Sequence, residues 1–293
     1  MGIVENPNPC PIAAIIPTYN RRTLVVSAIE SVQKQTLPVA ETIVIDDGST
    51  DGTYEELTRR FPDITVLQQS NRGVSASRNL GIRHATAHWL AFLDSDDQWY
   101  PNKLERQMSA IQKEPARLCH CDEHWIRHGR RVNPMNKHRK RGGNIFEFCL
   151  PLCAISPSAV VIHRSFFDDV GLFDESLPAC EDYDLWLRMT HREPVCFVDE
   201  PLLEKTGGHA DQLSRRYAAM DQFRLTALAK LLRSNELDST QSDQAQKMFE
   251  KKLMIFAKGA HKRGKQRKVI ALLNEYEDLI SAVLFEQLEL LKV

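Results

Sequence analysis

The sequence predicts an α/β protein: a Rossmann-like, mixed but mainly parallel sheet flanked by helices, followed by a C-terminal helical appendage. Three observations carry this prediction. Short apolar runs that stop at proline, aspartate or a turn recur through the first hundred positions. Stretches with helical spacing of apolar residues separate them. After residue 212 glycine and proline nearly vanish, and Lys, Glu, Gln, Leu and Ala dominate. Alternation of strand and helix at this spacing gives parallel strands joined by right-handed crossovers, with helices on both faces.

Each element has its own local reason. "AAIIP" (13–17) is an apolar run stopped by proline, the signature of a buried strand. Residues 22–35 place Leu24, Ala28, Ser31 and Val32 along one helical face. "TIVID" (42–46) is β-branched and apolar, a second strand, and Asp51, Gly52 and Thr53 offer cap chemistry for the helix "YEELTRRF". "ITVLQ" (64–68) and "WLAFL" (89–93) are the third and fourth strands, with a helix over "GVSASRNLGIRHA" (73–85) between them. Residues 122–143, dense in Arg, Lys and His, read as a loop. "PSAVVIHRSFFDDVGLFDE" reads as a strand and short helix, and "CEDYDLWLRM" as a buried helix through Leu185, Leu187 and Met189. In the tail, "FAKGAHKRGKQRKVIALL" has the pattern of a helix–turn–helix pair.

Composition bounds the function. The chain has 293 residues, 42% hydrophobic and 26% charged, enough for one large domain with an appendage; the expected division is 1–212 and 213–293. A net charge of −1 predicts no bulk attraction to nucleic acid or to an anionic membrane. No apolar stretch approaches the roughly 20 residues needed to cross a bilayer, and the first residues lack a basic segment leading into a long apolar core. The seven cysteines are scattered, with Cys119 and Cys121 a lone C-x-C, which fits free thiols in a reducing compartment. The expected location is cytoplasmic, with peripheral contact at the inner membrane face as its variant.

In open parallel sheets ligands bind beyond the carboxyl ends of the strands. That rim carries Thr18–Tyr19, Asp46–Asp47 and Asp94–Asp97. "LDSDDQW" sets three carboxylates in four positions, which repel unless something positive meets them. Period-2 alternation puts Asp94 and Asp96 on one side, a pair of hard oxygen ligands suited to Mg²⁺ or Mn²⁺. The same triplet would also serve as a polar turn capping the helix at "YPNKLERQM". Asp46–Asp47 with Gly48 fit an Asx turn as well as a ligand contact. Tyr19 is a rim aromatic able to stack on a base, while Thr18 or Asn20 fits a helix cap. Neither G-x-x-x-x-G-K nor G-x-G-x-x-G is present, so a diphosphate here would be held by a metal rather than by a glycine-rich loop.

Taken in order, "IIPTYNR", "IVIDDGSTDGT", "NRGVSASRNLGI", "LAFLDSDDQW" and "CEDYDLWLRM" resemble the successive signatures of family 2 glycosyltransferases of the GT-A fold, over residues 12–212. The resemblance implies an inverting, metal-dependent transferase using a nucleotide-sugar donor, UDP-linked, and a glycan or lipid-linked acceptor in cell-surface polysaccharide assembly. Residue by residue, Pro17, Thr18 and Tyr19 match the turn that packs on the nucleotide base. Asp46 or Asp47 matches the carboxylate that bonds the base. Arg78 matches a nucleotide-side arginine, Asp94 with Ser95 the ribose-contacting start of the D-x-D motif, and Asp96 the metal ligand. Asp182 matches the catalytic base, with Glu181 beside it, and His209 in "KTGGHADQLSRRY" a histidine that completes the metal site or meets the diphosphate.

Two basic segments invite partners. Arg127–Arg141 lies where acceptor-binding elements sit in this fold, and suits an anionic acceptor as well as it suits a solvated loop. Lys258–Lys268 with the apolar helix after it fits a membrane surface, a homodimer contact or a hairpin packed on the catalytic domain. A sugar nucleotidyltransferase and a non-catalytic nucleotide-sugar-binding scaffold are the rival readings. The first would carry a glycine-rich loop after the first strand, which "PTYNRR" lacks.

Overall fold

A computed structural model describes residues 11–133, 135–208, 217 and 219–291. The first four strands are β1 (Ile12–Thr18), β2 (Glu41–Asp46), β3 (Thr65–Gln68) and β4 (Trp89–Phe92). They lie in the order β3-β2-β1-β4, all parallel. Helices α1 (Arg22–Gln33), α2 (Thr53–Arg60) and α3 (Val74–His84) make the crossovers. All seven residues of β1 are buried, as a strand covered on both faces must be. Ile12, Ala14 and Ile16 face one hydrophobic cluster while Ala13 and Ile15 face the other. Alpha-3 lies against the sheet so closely that a Cβ on Gly81 would stand 2.5 Å from Ile15 Cγ2 and 2.9 Å from Ile45 Cδ1. Only glycine allows that approach.

Beyond β4 the sheet becomes mixed. Beta-8 (Val160–His163) pairs antiparallel with β4 and with β6 (Leu118–Arg127); β6 pairs parallel with β9 (Cys196–Gly207); β9 carries the short β5 (Gln98–Trp99) antiparallel at the edge. Against this side pack α4 (Lys103–Lys113), α5 (Phe146–Cys149), α6 (Ser165–Val170) and α7 (Glu181–Thr190). The C-terminal helices α8 (Asp221–Arg233), α9 (Ser239–Lys262), α10 (Gln266–Glu275) and α11 (Ala282–Glu289) share one apolar cluster with α5 and α7, through Leu225, Phe249, Leu253 and Leu273. The expected division at 212/213 falls on residues outside those described. Lys258–Lys268 forms the corner of an α9–α10 hairpin that packs Ala260 and Val269 inward.

Three local expectations are corrected. The stretch 122–143 is not a loop throughout: β6 runs to Arg127 and returns as β7 (Arg130–Val132). His128 and Gly129 make the turn with φ of 50° and 71°, the double left-handed step a two-residue hairpin requires. The basic residues hide this because they lie on an edge ribbon with solvent beside it. On α1 the buried stripe is Val25, Ala28, Ile29 and Val32, with Leu24 only half-buried, a rotation of one position. Beta-4 ends at Phe92, so the aspartate triplet lies in a turn, Asp97 N–H donating to Asp94 O at 2.9 Å.

Candidate active site

The carboxyl ends of β1, β2 and β4 form one rim, and its first half is framed by neutral donors. Asn20 takes φ of 49°, donates its N–H to Ser49 Oγ (2.8 Å) and accepts from Thr50 N at Oδ1 (2.7 Å). It knits two rim loops together and does not cap α1, whose first N–H, on Arg22, donates to Asp51 Oδ2 at 3.2 Å. Tyr19 stands 46% exposed on this edge, while Thr18 is buried with an Oγ1 that has no partner among the described residues.

Asp46 and Asp47 are both buried. Asp46 accepts from Ser49 N and from Gln68 Nε2, each at 3.1 Å. Asp47 accepts from Gln69 Nε2 (2.7 Å), Arg72 N (2.9 Å) and Gly73 N (2.8 Å). Its carboxylate thereby anchors the entry to α3, and α3 carries Arg78. Gly48 turns tightly there, φ +80°, where a Cβ would meet Asn71 N at 2.9 Å.

The second half of the rim is held by ion pairs. Arg78 is 3% exposed; Nη2 donates to Asp94 Oδ1 and Nη1 to Glu181 Oε1, both at 2.7 Å. Its guanidinium carbon lies 5.2 Å from the centroid of Phe173. Burial alone would favour the neutral guanidine, but the two carboxylates overcome it and raise its pKa above the ordinary range. Arg21 Nη1 meets Asp96 Oδ2 at 2.7 Å. Asp96 nevertheless has a raised pKa, because burial and the charge of Asp94 outweigh Arg21. The innermost aspartate, Asp97, accepts from Ser158 Oγ (2.6 Å) and Thr206 N (2.8 Å). Burial, then repulsion from Asp94 and Asp96, push its carboxyl well up. None of the three caps α4, which begins after Asn102 without a side-chain cap.

The triplet therefore divides its labour. Asp97 is structural. Asp94 Oδ2 and Asp96 Oδ1 accept no side-chain hydrogen bond among the described residues. Carboxylate oxygens are the ligand type that Mg²⁺ or Mn²⁺ takes, but among the described residues no group of three or more Asp, Glu, His or Cys side chains gathers as a metal site. His209, the third expected contributor, lies outside the described residues.

A pair of acids, Glu181 and Asp182, begins α7. Cys180, just before them, is left-handed at φ 63°, a conformation that costs a non-glycine residue about 1 kcal/mol or more and recurs at functional sites. The next residue, Glu181, is buried against Arg78. Burial and the charge of Asp182 raise it to about 6 although Arg78 opposes them. Asp182 is half-buried, accepting from its neighbour Tyr183 N at Oδ1 (2.7 Å) and from the Cys153 thiol at Oδ2 (3.0 Å). Arg78 thus bridges the D-x-D turn, 16 positions from it, to the α7 acids, 103 positions from it.

Sequence reading missed Arg21, Ser158 and Cys153 as site partners. Arg21 stands in the quoted "NRR" directly after the rim turn, a usable signal. Ser158 is 61 positions from Asp97 and Cys153 is 29 from Asp182, with no local pattern to mark either. Cys119 and Cys121 are buried free thiols on β6.

A parallel β3-β2-β1-β4 half-sheet with a carboxylate rim, closed by a mixed half and an acidic helix start, defines a nucleotide-sugar transferase architecture. Residues 13–171 match the family model for glycosyl transferase family 2, more than half of the chain. The chain belongs to glycosyl transferase family 2. An uncharacterised glycosyltransferase of Rickettsia conorii is 32% identical over 67% of this chain, although the matched region spans only 32% of that protein. WfgD of Escherichia coli, a UDP-Glc:alpha-D-GlcNAc-diphosphoundecaprenol beta-1,3-glucosyltransferase, is 31% identical over 60% of this chain and 68% of its own length. Among solved structures, S. aureus TarS in complex with UDP-GlcNAc superposes with a TM-score of 0.67 at 20% identity, over 83% of this chain and 71% of that one. A longer TarS structure gives 0.73 at 19% identity, over 94% of this chain and 50% of that one. These superpositions show the GT-A fold. Among the described residues no helix is long and apolar enough to cross a membrane.

Proposed function

We propose that the protein transfers a sugar from a UDP-linked donor to a hydroxyl of a glycan or lipid-linked acceptor, with inversion at the anomeric carbon, in assembly of a cell-surface polysaccharide. The observation that carries this reading is the Arg78 bridge, which brings donor-side Asp94 and acceptor-side Glu181 onto one guanidinium at 2.7 Å each. The UDP-glucose donor and diphosphoundecaprenol acceptor in the name of WfgD, and the UDP-GlcNAc of the TarS complex, support the donor and acceptor classes.

In this reading Pro17 shapes the turn on which Thr18 and Tyr19 meet the base, and the Asp46–Asp47 pair frames its polar edge. Arg78 holds Asp94, with Ser95 behind it, toward the ribose. Asp94 and Asp96 would hold Mg²⁺ or Mn²⁺, which when bound offsets charge gathering on the leaving diphosphate. Asp182 takes the proton of the acceptor hydroxyl as its oxygen bonds the anomeric carbon and the bond to the diphosphate breaks. A single base on the acceptor face gives one displacement, hence inversion. Glu181, tied to Arg78, keeps Asp182 at the helix start.

Calorimetric titration with UDP, GDP and dTDP, each with Mn²⁺ and with EDTA, tests the donor site; binding of UDP that EDTA abolishes is expected. Asp182→Asn should lose about 10²- to 10⁴-fold in turnover while keeping its UDP affinity. Normal turnover in that variant would remove Asp182 from the mechanism.

A further inference from the structure

The cations of the cleft are not equivalent. Arg78 and Arg21 each hold a carboxylate at 2.7 Å. Lys205, near the end of β9, does not. Its Nζ donates to Ser156 Oγ at 2.8 Å, and the nearest carboxylate oxygen, Glu123 Oε1, is 4.0 Å away. Glu123 is already taken: Lys140 Nζ lies 2.8 Å from its other oxygen, and Ser156 Oγ (3.0 Å) and Trp125 Nε1 (2.8 Å) donate to Oε1. Lys140 and Glu123 are sealed, their side chains 4% and 2% exposed, whereas that of Lys205 is 37% exposed. Burial disfavours the charge on Glu123, but Lys140 and Lys205 outweigh it and hold the acid at about 2. Lys140 closes the near pair with Glu123, and Lys205 is the member of the group that reaches solvent.

Its surroundings place it at the reaction centre. Burial disfavours the Lys205 charge, but Glu123, then Asp97 and Asp94, outweigh it and hold its pKa above the ordinary lysine value, and the Cys153 thiol stands nearby. Cys153 is the residue that donates to Asp182, and Thr206, next in sequence to Lys205, donates its N–H to Asp97. Lys205 therefore stands between the D-x-D turn and the proposed base. Its one close side-chain contact is the Ser156 hydroxyl at 2.8 Å, and with the nearest carboxylate oxygen 4.0 Å away its ammonium keeps donors that no carboxylate occupies. Ammonium groups with spare donors are point-charge partners for phosphate oxygens.

We infer that Lys205 is a phosphate-binding residue of the cleft, presented by the buried Glu123–Lys140–Ser156 network. The inference rests on the nucleotide-sugar reading above and deepens it. The phosphate has two possible sources of one chemistry, the distal phosphate of the donor's diphosphate or a phosphate of the acceptor.

The test titrates UDP, UMP and pyrophosphate into wild type, Lys205→Met and Lys205→Arg, with pyrophosphate added both to the free and to the UDP-saturated protein. If the donor's distal phosphate is the ligand, Lys205→Met binds UDP at least tenfold more weakly and UMP within twofold of wild type. If it is an acceptor phosphate, UDP binding is kept, and pyrophosphate binding to the UDP-saturated protein is lost. Lys205→Arg should recover most of either affinity, which a merely structural loss would not predict. Wild-type affinities for UDP and pyrophosphate in Lys205→Met overturn the inference, as does a wild type that binds neither. A wild type that ignores UDP yet binds pyrophosphate through Lys205 would break the donor reading and leave Lys205 standing.

Discussion

The two halves of the rim satisfy their carboxylates by different means. In the β1–β2 half, Asp46 and Asp47 accept five neutral hydrogen bonds, three from backbone N–H groups and two from glutamine amides, all within 26 residues of sequence. In the β4–α7 half, Asp94, Asp96 and Glu181 are met by two arginines, and the Arg78–Glu181 contact spans 103 residues. Neutral donors make a frame whose charge does not change when an anionic substrate arrives. Cations can be shared, so the second half can exchange protein carboxylates for substrate phosphates. On the proposed reading the first half would position the nucleotide and the second would meet its charge.

The comparison breaks most visibly at Arg78. Arg78→Met leaves Glu181 and Asp94 without their common partner, and removing one member of a buried pair costs about 3–5 kcal/mol. Urea unfolding should report a loss of that size, and UDP affinity should fall with it. A loss below about 1 kcal/mol would mean that solvent already screens the bridge. Asp47→Ala probes the neutral half. It orphans two backbone N–H groups and an amide on a buried carboxylate, with an expected loss of about 2–3 kcal/mol in the same assay. Because Asp47 anchors the entry to α3, the variant should also weaken UDP through displacement of Arg78. Full UDP affinity in a destabilised Asp47→Ala would show the two halves to be independent.

The neutral half was the legible one. Its partners are close in sequence and its strands are apolar on both faces, so "IIPTYN" and "IVIDDGSTD" announce both the strand ends and the polar turns after them. The D-x-D turn was legible as a cluster, but not the separation of Asp97, a buried structural acid, from Asp94 and Asp96. That distinction depends on Ser158 and Thr206, which only the folded sheet brings near. The β6–β7 hairpin was hidden because an edge ribbon needs no apolar alternation on its solvent side. Lys140 lay inside a basic run that read as solvated, yet it is buried on Glu123, since a pair 17 positions apart, one on β6 and one beyond the end of β7, leaves no helical or strand periodicity.

The smallest effect sharpens the contrast through pH. Glu181 titrates at about 6 in the folded protein against an ordinary 4.5, because burial and the charge of Asp182 outweigh Arg78. The folded state thus holds this proton more tightly than the unfolded chain. The stabilisation is complete below pH 4.5 and is lost as pH rises through 6, a total of about 2 kcal/mol. Asp96 and Asp97 are raised as well and act with the same sign, whereas Glu123 and Asp174, both held at about 2, lose their contribution only as pH falls below 4.5. The share belonging to Glu181 is isolated by comparing wild type with Glu181→Gln, whose amide can still accept from Arg78 but does not titrate. From about one unit below pH 4.5 to about one unit above pH 6, the stability of wild type relative to the variant should fall by about 2 kcal/mol in urea unfolding. Parallel curves would place the titration elsewhere among the cleft acids. A steeper fall would mean that replacing Glu181 also changes how tightly the other raised acids of the cleft, Asp96 and Asp97, hold their protons, so that the charge of this half of the rim is set by the group and not by one residue.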